Sequence, residues 1–154
     1  MKTTAYRRFT LDEAVDWVKH LCESKGCSPA VVHSLAQATV AAQARGNLAV
    51  GFLYLADYLP GFSSGRINPR AEPCITSAGA IILKSDAPGG IARLGVDRCF
   101  DSLCHAAHTN GMATLSQCNS FTSGELGEHG IRNELRIDDY PVGRYVVQAD
   151  SPLL

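Results

Sequence analysis

The chain has 154 residues, the size of one ordinary domain, and a domain of that length buries about two-thirds of the surface its unfolded form exposes. Hydrophobic residues make up 45% and charged residues 19%, which excludes a disordered or fibrous protein. A formal charge of −1, with lysines and arginines scattered along the chain, leaves no electrostatic footprint for nucleic acid or an anionic membrane.

The predicted elements begin with Thr10-Leu11-Asp12-Glu13, which has the form of a capping box. Leu11, Ala14, Val15, Val18, Leu21 and Cys22 then recur at helical spacing. Gly26 suits the left-handed residue that closes a helix, and Ser28-Pro29 supplies an N-cap with proline at the first helical position. The second helix carries Val31, Val32, Leu35, Ala36, Thr39 and Val40 and stops near Arg45-Gly46. Val50 to Leu59 reads as a third, strongly apolar helix that buries Phe52, Leu53, Leu55, Tyr58 and Leu59.

Beyond Phe62, Ser63-Ser64-Gly65 and Asn68-Pro69 are breakers. Pro73 to Thr76 and Ala80 to Leu83 read as two short strands, and Asp86 to Gly90 as a loop. Val96, Cys99, Phe100, Leu103, Ala106 and Ala107 form an amphipathic face ended by Asn110-Gly111, and Met112 to Cys118 is a buried strand. Strand, helix and strand in this order predict a βαβ-like unit. A polar turn, Asn119 to Gly124, leads to a helix starting near Glu125, and Tyr145 to Ala149 reads as a last strand. The expectation is an α/β protein: a helical part over 1–70, then a partial α/β domain over 71–154 with an incomplete mixed sheet.

No apolar run approaches the ~20 residues of a membrane span. The six cysteines follow an N-terminus, Met1 to Arg8, without an apolar signal core. Reduced thiols in a soluble, cytoplasmic protein are the simpler expectation, four of the six being placed on apolar positions of helices or strands.

Neither Gly-x-Gly-x-x-Gly nor a Gly-Lys-Ser/Thr phosphate loop occurs, so Gly89-Gly90 reads as a plain turn. Cys99, Cys104, His105 and His108 crowd one predicted helix, but their spacing fits no zinc pattern, and no metal is expected. Ser120, Thr122 and Ser123 follow a strand with His129 on the next helix, yet no Gly-x-Ser-x-Gly elbow is present, and helix capping accounts for Ser123.

What remains is a set of motifs in a particular order. Arg45-Gly46-Asn47-Leu48-Ala49-Val50-Gly51 precedes Tyr54-Leu55 and Tyr58-Leu59. Gly65-Arg66-Ile67-Asn68 and Ala71-Glu72-Pro73 follow, then Asp86 to Gly90 and Gly111 to Gly127. Over Leu11 to Glu128 this order resembles the malate/L-lactate dehydrogenase family that lacks a Rossmann fold, a family that includes reductases of 2-oxo acids and cyclic imino acids.

The resemblance implies an oxidoreductase that uses NAD or NADP on a small 2-oxo or 2-hydroxy acid or a cyclic imino acid. By position it places Arg45 and Asn47 near the substrate carboxylate. Thr122 stands where the family keeps an acid/base histidine, with Ser120, Asp150 and Ser151 near the nicotinamide. Asn47 also replaces a histidine, as do Ala49-Val50 at a Ser-His step. A general acid/base needs a pKa near the working pH, which histidine has and threonine lacks. Asp150-Ser151-Pro152 falls several residues further from Thr122 than the family spacing, and Asp138 to Pro141 interrupts the helix expected there.

The family's members are considerably longer, so the chain corresponds to their N-terminal half. The expectation is therefore a truncated enzyme, weak or inactive alone. The alternative is a non-catalytic remnant or partner subunit that dimerises with a full-length relative or a second half. A homo-oligomer or a partner chain is expected because an unfinished sheet exposes an edge.

Overall fold

The structure, a computed structural model, describes residues 8–121 and the backbone of residues 144–148. Helix α1 (Leu11–Glu23) starts on the expected capping box: the Thr10 amide donates to Glu13 Oε2 at 2.8 Å, and the Glu13 amide donates to Thr10 Oγ1 at 3.2 Å. Its end is a Schellman closure. Cys27 N–H donates to the Cys22 carbonyl and Gly26 N–H to the Glu23 carbonyl, with Gly26 at φ +75°. Helix α2 (Pro29–Ala44) follows at once, Ser28 Oγ accepting from the Val31 amide.

The third helix departs from the sequence reading. Leu48–Val50 is a single 3₁₀ turn, and helix α3 (Phe52–Ser63) begins only after Gly51. The reason lies on α2. The Gln43 side chain folds over this junction and accepts the Phe52 amide at 3.0 Å. A Cβ on Gly51 would meet Gln43 Oε1 at 2.4 Å, so only glycine admits this cap. The helix also runs past Leu59 and carries Pro60 within it. Leu55, Tyr58 and Phe62 are buried, but Leu53, expected inside, is 69% exposed because it lies on the opposite face.

Strands β1 (Cys74–Ser77) and β2 (Ile82–Asp86) form an antiparallel hairpin. β1 lies one residue later than its sequence reading, and β2 starts two residues later and ends three residues later. Helix α4 (Ala92–Asn110) connects β2 to β3 (Met112–Cys118), and these two strands pair in parallel. Strand β4 (Arg144–Gln148) adds antiparallel to β3, giving a mixed sheet in the order β1-β2-β3-β4. The helix expected near Glu125 lies outside the described residues.

Two apolar clusters hold the molecule. The helical one gathers Val18, Val31, Leu35, Leu55, Tyr58 and Ile67 and draws in Ile91 and Leu94 from the start of α4. The other packs Val96, Cys99, Leu103 and Ala107 of α4 on Leu83, Ala113 and Leu115 of the sheet. Between them α4 makes polar contacts. Ser34 of α2 donates to Asp97 at 2.5 Å, and Asp97 receives Arg93 Nε at 2.7 Å, with the Arg93 side chain 6% exposed.

Gly95 brings α4 close to the sheet: an added Cβ would lie 2.4 Å from both Ser85 Oγ and Gln117 Oε1, which are buried register partners of β2 and β3. Of the cysteines, Cys22, Cys27 and Cys99 are buried and Cys104 half-buried, whereas Cys74 and Cys118 are exposed.

Candidate functional site

In an open α/β sheet, ligands bind beyond the carboxyl ends of parallel strands. Here those ends belong to β2 and β3, and the motifs between Gly65 and Ser120 converge on them, whereas Arg45 to Gly51 lies elsewhere. Asn119, at φ +53°, donates through Nδ2 to Asp86 Oδ1 at 3.0 Å across the two strand ends. Its carbonyl accepts the Gly89 amide at 2.7 Å, and the Gly89 carbonyl accepts the Asn68 amide at 2.9 Å.

Gly90 packs so closely on Ala71 that an added Cβ would sit 2.5 Å from the alanine Cβ and 2.9 Å from the Ala87 carbonyl oxygen. Ile67 is fully buried against Gly61, and the Ile67 amide donates to the Gly61 carbonyl at 3.0 Å. The turn Gly65 to Asn68, the Ala71 step, the Asp86 to Gly90 loop and the Asn119-Ser120 turn are therefore parts of one closure.

Phe121 seals it. Its amide donates to the Gly90 carbonyl at 2.7 Å and its carbonyl accepts the Ala92 amide at 3.0 Å. The ring lies 5.9 Å from that of Tyr58, and the Arg66 guanidinium stacks 4.7 Å above it. Arg66 is held in turn by Asp57, its Nη2 donating to Oδ1 at 2.8 Å.

Helix N-termini and glycine loops bind phosphate through exposed backbone N–H groups. In this loop the Gly89, Gly90 and Ala92 amides all donate within the chain. The described loop does not fit a dinucleotide's diphosphate, and Gly89-Gly90 is a structural turn.

Of the residues singled out from sequence, Ser120 lies in this closure, half-buried just beyond β3. Arg45 and Asn47 occupy a different place, the exposed junction of α2 with the 3₁₀ turn, where Asn47 N–H donates to the Ala42 carbonyl. Thr122, Asp150 and Ser151 lie outside the described residues. Sequence reasoning missed Arg66, Tyr58, Phe121 and the Asp86–Asn119 pair as site groups. Their motifs were visible, but the contacts that unite them join residues distant in sequence. Among the described residues, no group of three His, Cys, Asp or Glu side chains could hold a metal ion. No helix among them is long and apolar enough to cross a membrane.

A helical part feeding a βαβ unit, with a closure at its strand ends, defines an α/β protein with a mixed sheet. The malate/L-lactate dehydrogenase family model matches residues 9–132, and the chain belongs to that oxidoreductase family.

Among curated relatives it is 27% identical over 104 residues to a Δ1-pyrroline-2-carboxylate/Δ1-piperideine-2-carboxylate reductase of Pseudomonas syringae pv. tomato, covering 68% of this chain and 30% of the relative. Its identity to the enzyme of that description from Pseudomonas putida is also 27%, over 118 residues, covering 77% of this chain and 35% of the relative. The chain thus spans about a third of the curated relatives it matches. Its fold is similar to a crystal structure of the P. syringae pv. tomato Δ1-piperideine-2-carboxylate reductase, with TM-score 0.72, 25% identity and coverage of 75% and 35% of the two chains. It is also similar to malate dehydrogenase from Pyrococcus horikoshii OT3, with TM-score 0.72, 21% identity and coverage of 82% and 36%.

Proposed function

We propose that this chain is part of an NAD(P)-dependent reductase of small 2-oxo acids or cyclic imino acids, and that by itself it is a weak or inactive catalyst. The observation that carries the reading is the convergence of the segments Gly65 to Asn68, Ala71, Asp86 to Gly90 and Asn119-Ser120 on the ends of β2 and β3. In it Arg45 offers a cation to the substrate carboxylate, Asn47 a neutral hydrogen-bonding amide, and Ser120, Asp150 and Ser151 polar contacts beside the nicotinamide. Thr122 stands at the acid/base position, where its hydroxyl donates a hydrogen bond but does not cycle a proton near neutral pH. Weak binding of NAD(P)H by the chain alone is supported by the loop amides already engaged within the chain.

The test is NAD(P)H oxidation with a panel of 2-oxo acids and cyclic imino acids. The unmodified chain is expected to stay near the blank rate. Thr122→His is expected to raise the rate by about 10²-fold or more and to introduce an inflection near pH ~6.5. Rapid turnover by the unmodified chain overturns the reading.

A second reading is a non-catalytic remnant or partner subunit that dimerises with a full-length relative or a second half. It is favoured by Leu11, Leu48 and Leu53, large apolar side chains exposed on the helical part. Light scattering on the purified chain, alone and mixed with a full-length relative, distinguishes the two.

A further inference from the structure

The turn between α1 and α2 holds a pair of thiols that the proposed reaction does not use. In a Schellman closure the side chains at C3 and C″ meet over the helix end, ordinarily as an apolar contact. Here those positions are Cys22 and Cys27, fixed by the Cys27 N–H donating to the Cys22 carbonyl at 3.3 Å and the Gly26 N–H donating to the Glu23 carbonyl at 2.9 Å. Both cysteines belong to the helical cluster, Cys22 fully buried and Cys27 at 8% exposure on its margin. The two thiols sit close enough to perturb one another.

We propose that Cys22 and Cys27 are an oxidisable dithiol, a modification site at which a peroxide converts the Schellman contact into a disulfide within one chain.

The division of labour follows from the environment. The neighbouring Cys22 thiol lowers the pKa of the Cys27 thiol, whereas Cys27 and burial push Cys22 up. Cys27 is thus the thiolate-forming and more accessible partner, the profile of an attacking cysteine. Its thiolate attacks one peroxide oxygen, the O–O bond breaks, and a sulfenic acid and hydroxide result. The Cys22 sulfur then attacks the Cys27 sulfur. An S–S bond forms, the S–O bond breaks, and the departing hydroxyl takes the Cys22 proton as water. The hydroxide takes up the proton Cys27 had released. The two thiols lose two electrons and two protons in all, and the peroxide is reduced to two waters.

Cys99 is the internal control. It is buried in the sheet cluster, burial holds its thiol up at about 11, and it is expected to stay reduced. Cys74 and Cys118 are exposed and Cys104 half-buried, so all three are replaced by serine in the test protein to remove intermolecular bonds.

The experiment treats that folded protein with hydrogen peroxide, blocks remaining thiols by alkylation and maps tryptic peptides without reductant, near-UV circular dichroism following the fold. Lys25 lies between the two cysteines, so cleavage there leaves Cys22 and Cys27 on separate peptides. The expected result is those two peptides joined, released by reductant, from protein that keeps its native spectrum, with Cys99 alkylated only after denaturation. In C22S, Cys27 is expected to proceed to sulfinic acid because the resolving thiol is gone. Recovery of both cysteines as unlinked peptides, or a link that appears only after the native spectrum is lost, overturns the proposal. Since that mapping uses the cysteine pair intact, it decides the matter even if C22S does not fold.

Discussion

The α1–α2 turn and the closure at the strand ends are built from the same materials, glycines, capping polar groups and buried apolar side chains, but at different ranges. Around the ends of α1 and α2 the capping contacts are local, Thr10 with Glu13, Gly26 with Glu23, Cys27 with Cys22 and Ser28 with Val31, although the Ser28 amide also donates to the distant Pro69 carbonyl at 2.9 Å. At the closure Asn119 meets Asp86 thirty-three residues away, Gly90 meets Ala71, and Phe121 meets Tyr58. Local contacts stabilise individual helices, whereas the distant ones set where the strand ends and Ser120 stand. Substitutions in the second class are therefore expected to cost more and to reach further.

The largest effect is expected where α2 and α4 share a buried charge. Asp97→Ala leaves the Arg93 guanidinium, 6% exposed, without this carboxylate, and is expected to cost about 3 kcal/mol in urea unfolding. Gly90→Ala drives a methyl group into Ala71 and the Ala87 carbonyl, and a loss of about 2 kcal/mol is expected together with altered amide shifts at Asn68 and Asn119. Thr10→Ala removes one half of a capping box, and its expected loss of about 1 kcal/mol should be confined in hydrogen exchange to the first turn of α1. Smallest of all is Leu53→Ser, expected within about 0.5 kcal/mol because the side chain is exposed. A large loss there would mean that Leu53 is covered in solution and would favour the partner-subunit reading.

The same contrast explains what was legible in the sequence. Thr10, Gly26, Ser28-Pro29 and Asn110-Gly111 mark helix ends because capping acts within a few residues, and all four lie at helix boundaries in the structure. The βαβ order and strand β3 were legible from apolar runs. The start of α3 was not, since its cap comes from Gln43, and a glutamine in the last turn of α2 carries no signal that it will cap a neighbour. Leu53 was misplaced because a uniformly apolar helix gives periodicity little to read.

At the site, the motif order identified the family, but Arg66 and Phe121 become visible as site groups only once the chain brings Gly65 to Asn68 against residues 119–121. The placement of Arg45 and Asn47 beside the substrate remains a proposal. They lie on a junction distinct from the strand-end closure.

Fluorescence titration with NADH and NADPH tests the central claim most directly. Trp17 packs between Phe9 and Phe52 in the helical part, so the coenzyme's own emission is the signal to follow. With the loop amides engaged within the chain, no saturable change is expected up to about 1 mM, corresponding to binding weaker than about 4 kcal/mol. Saturation at micromolar coenzyme, with enhanced or quenched emission, would contradict the account, for it would require a dinucleotide cradle that this loop does not provide.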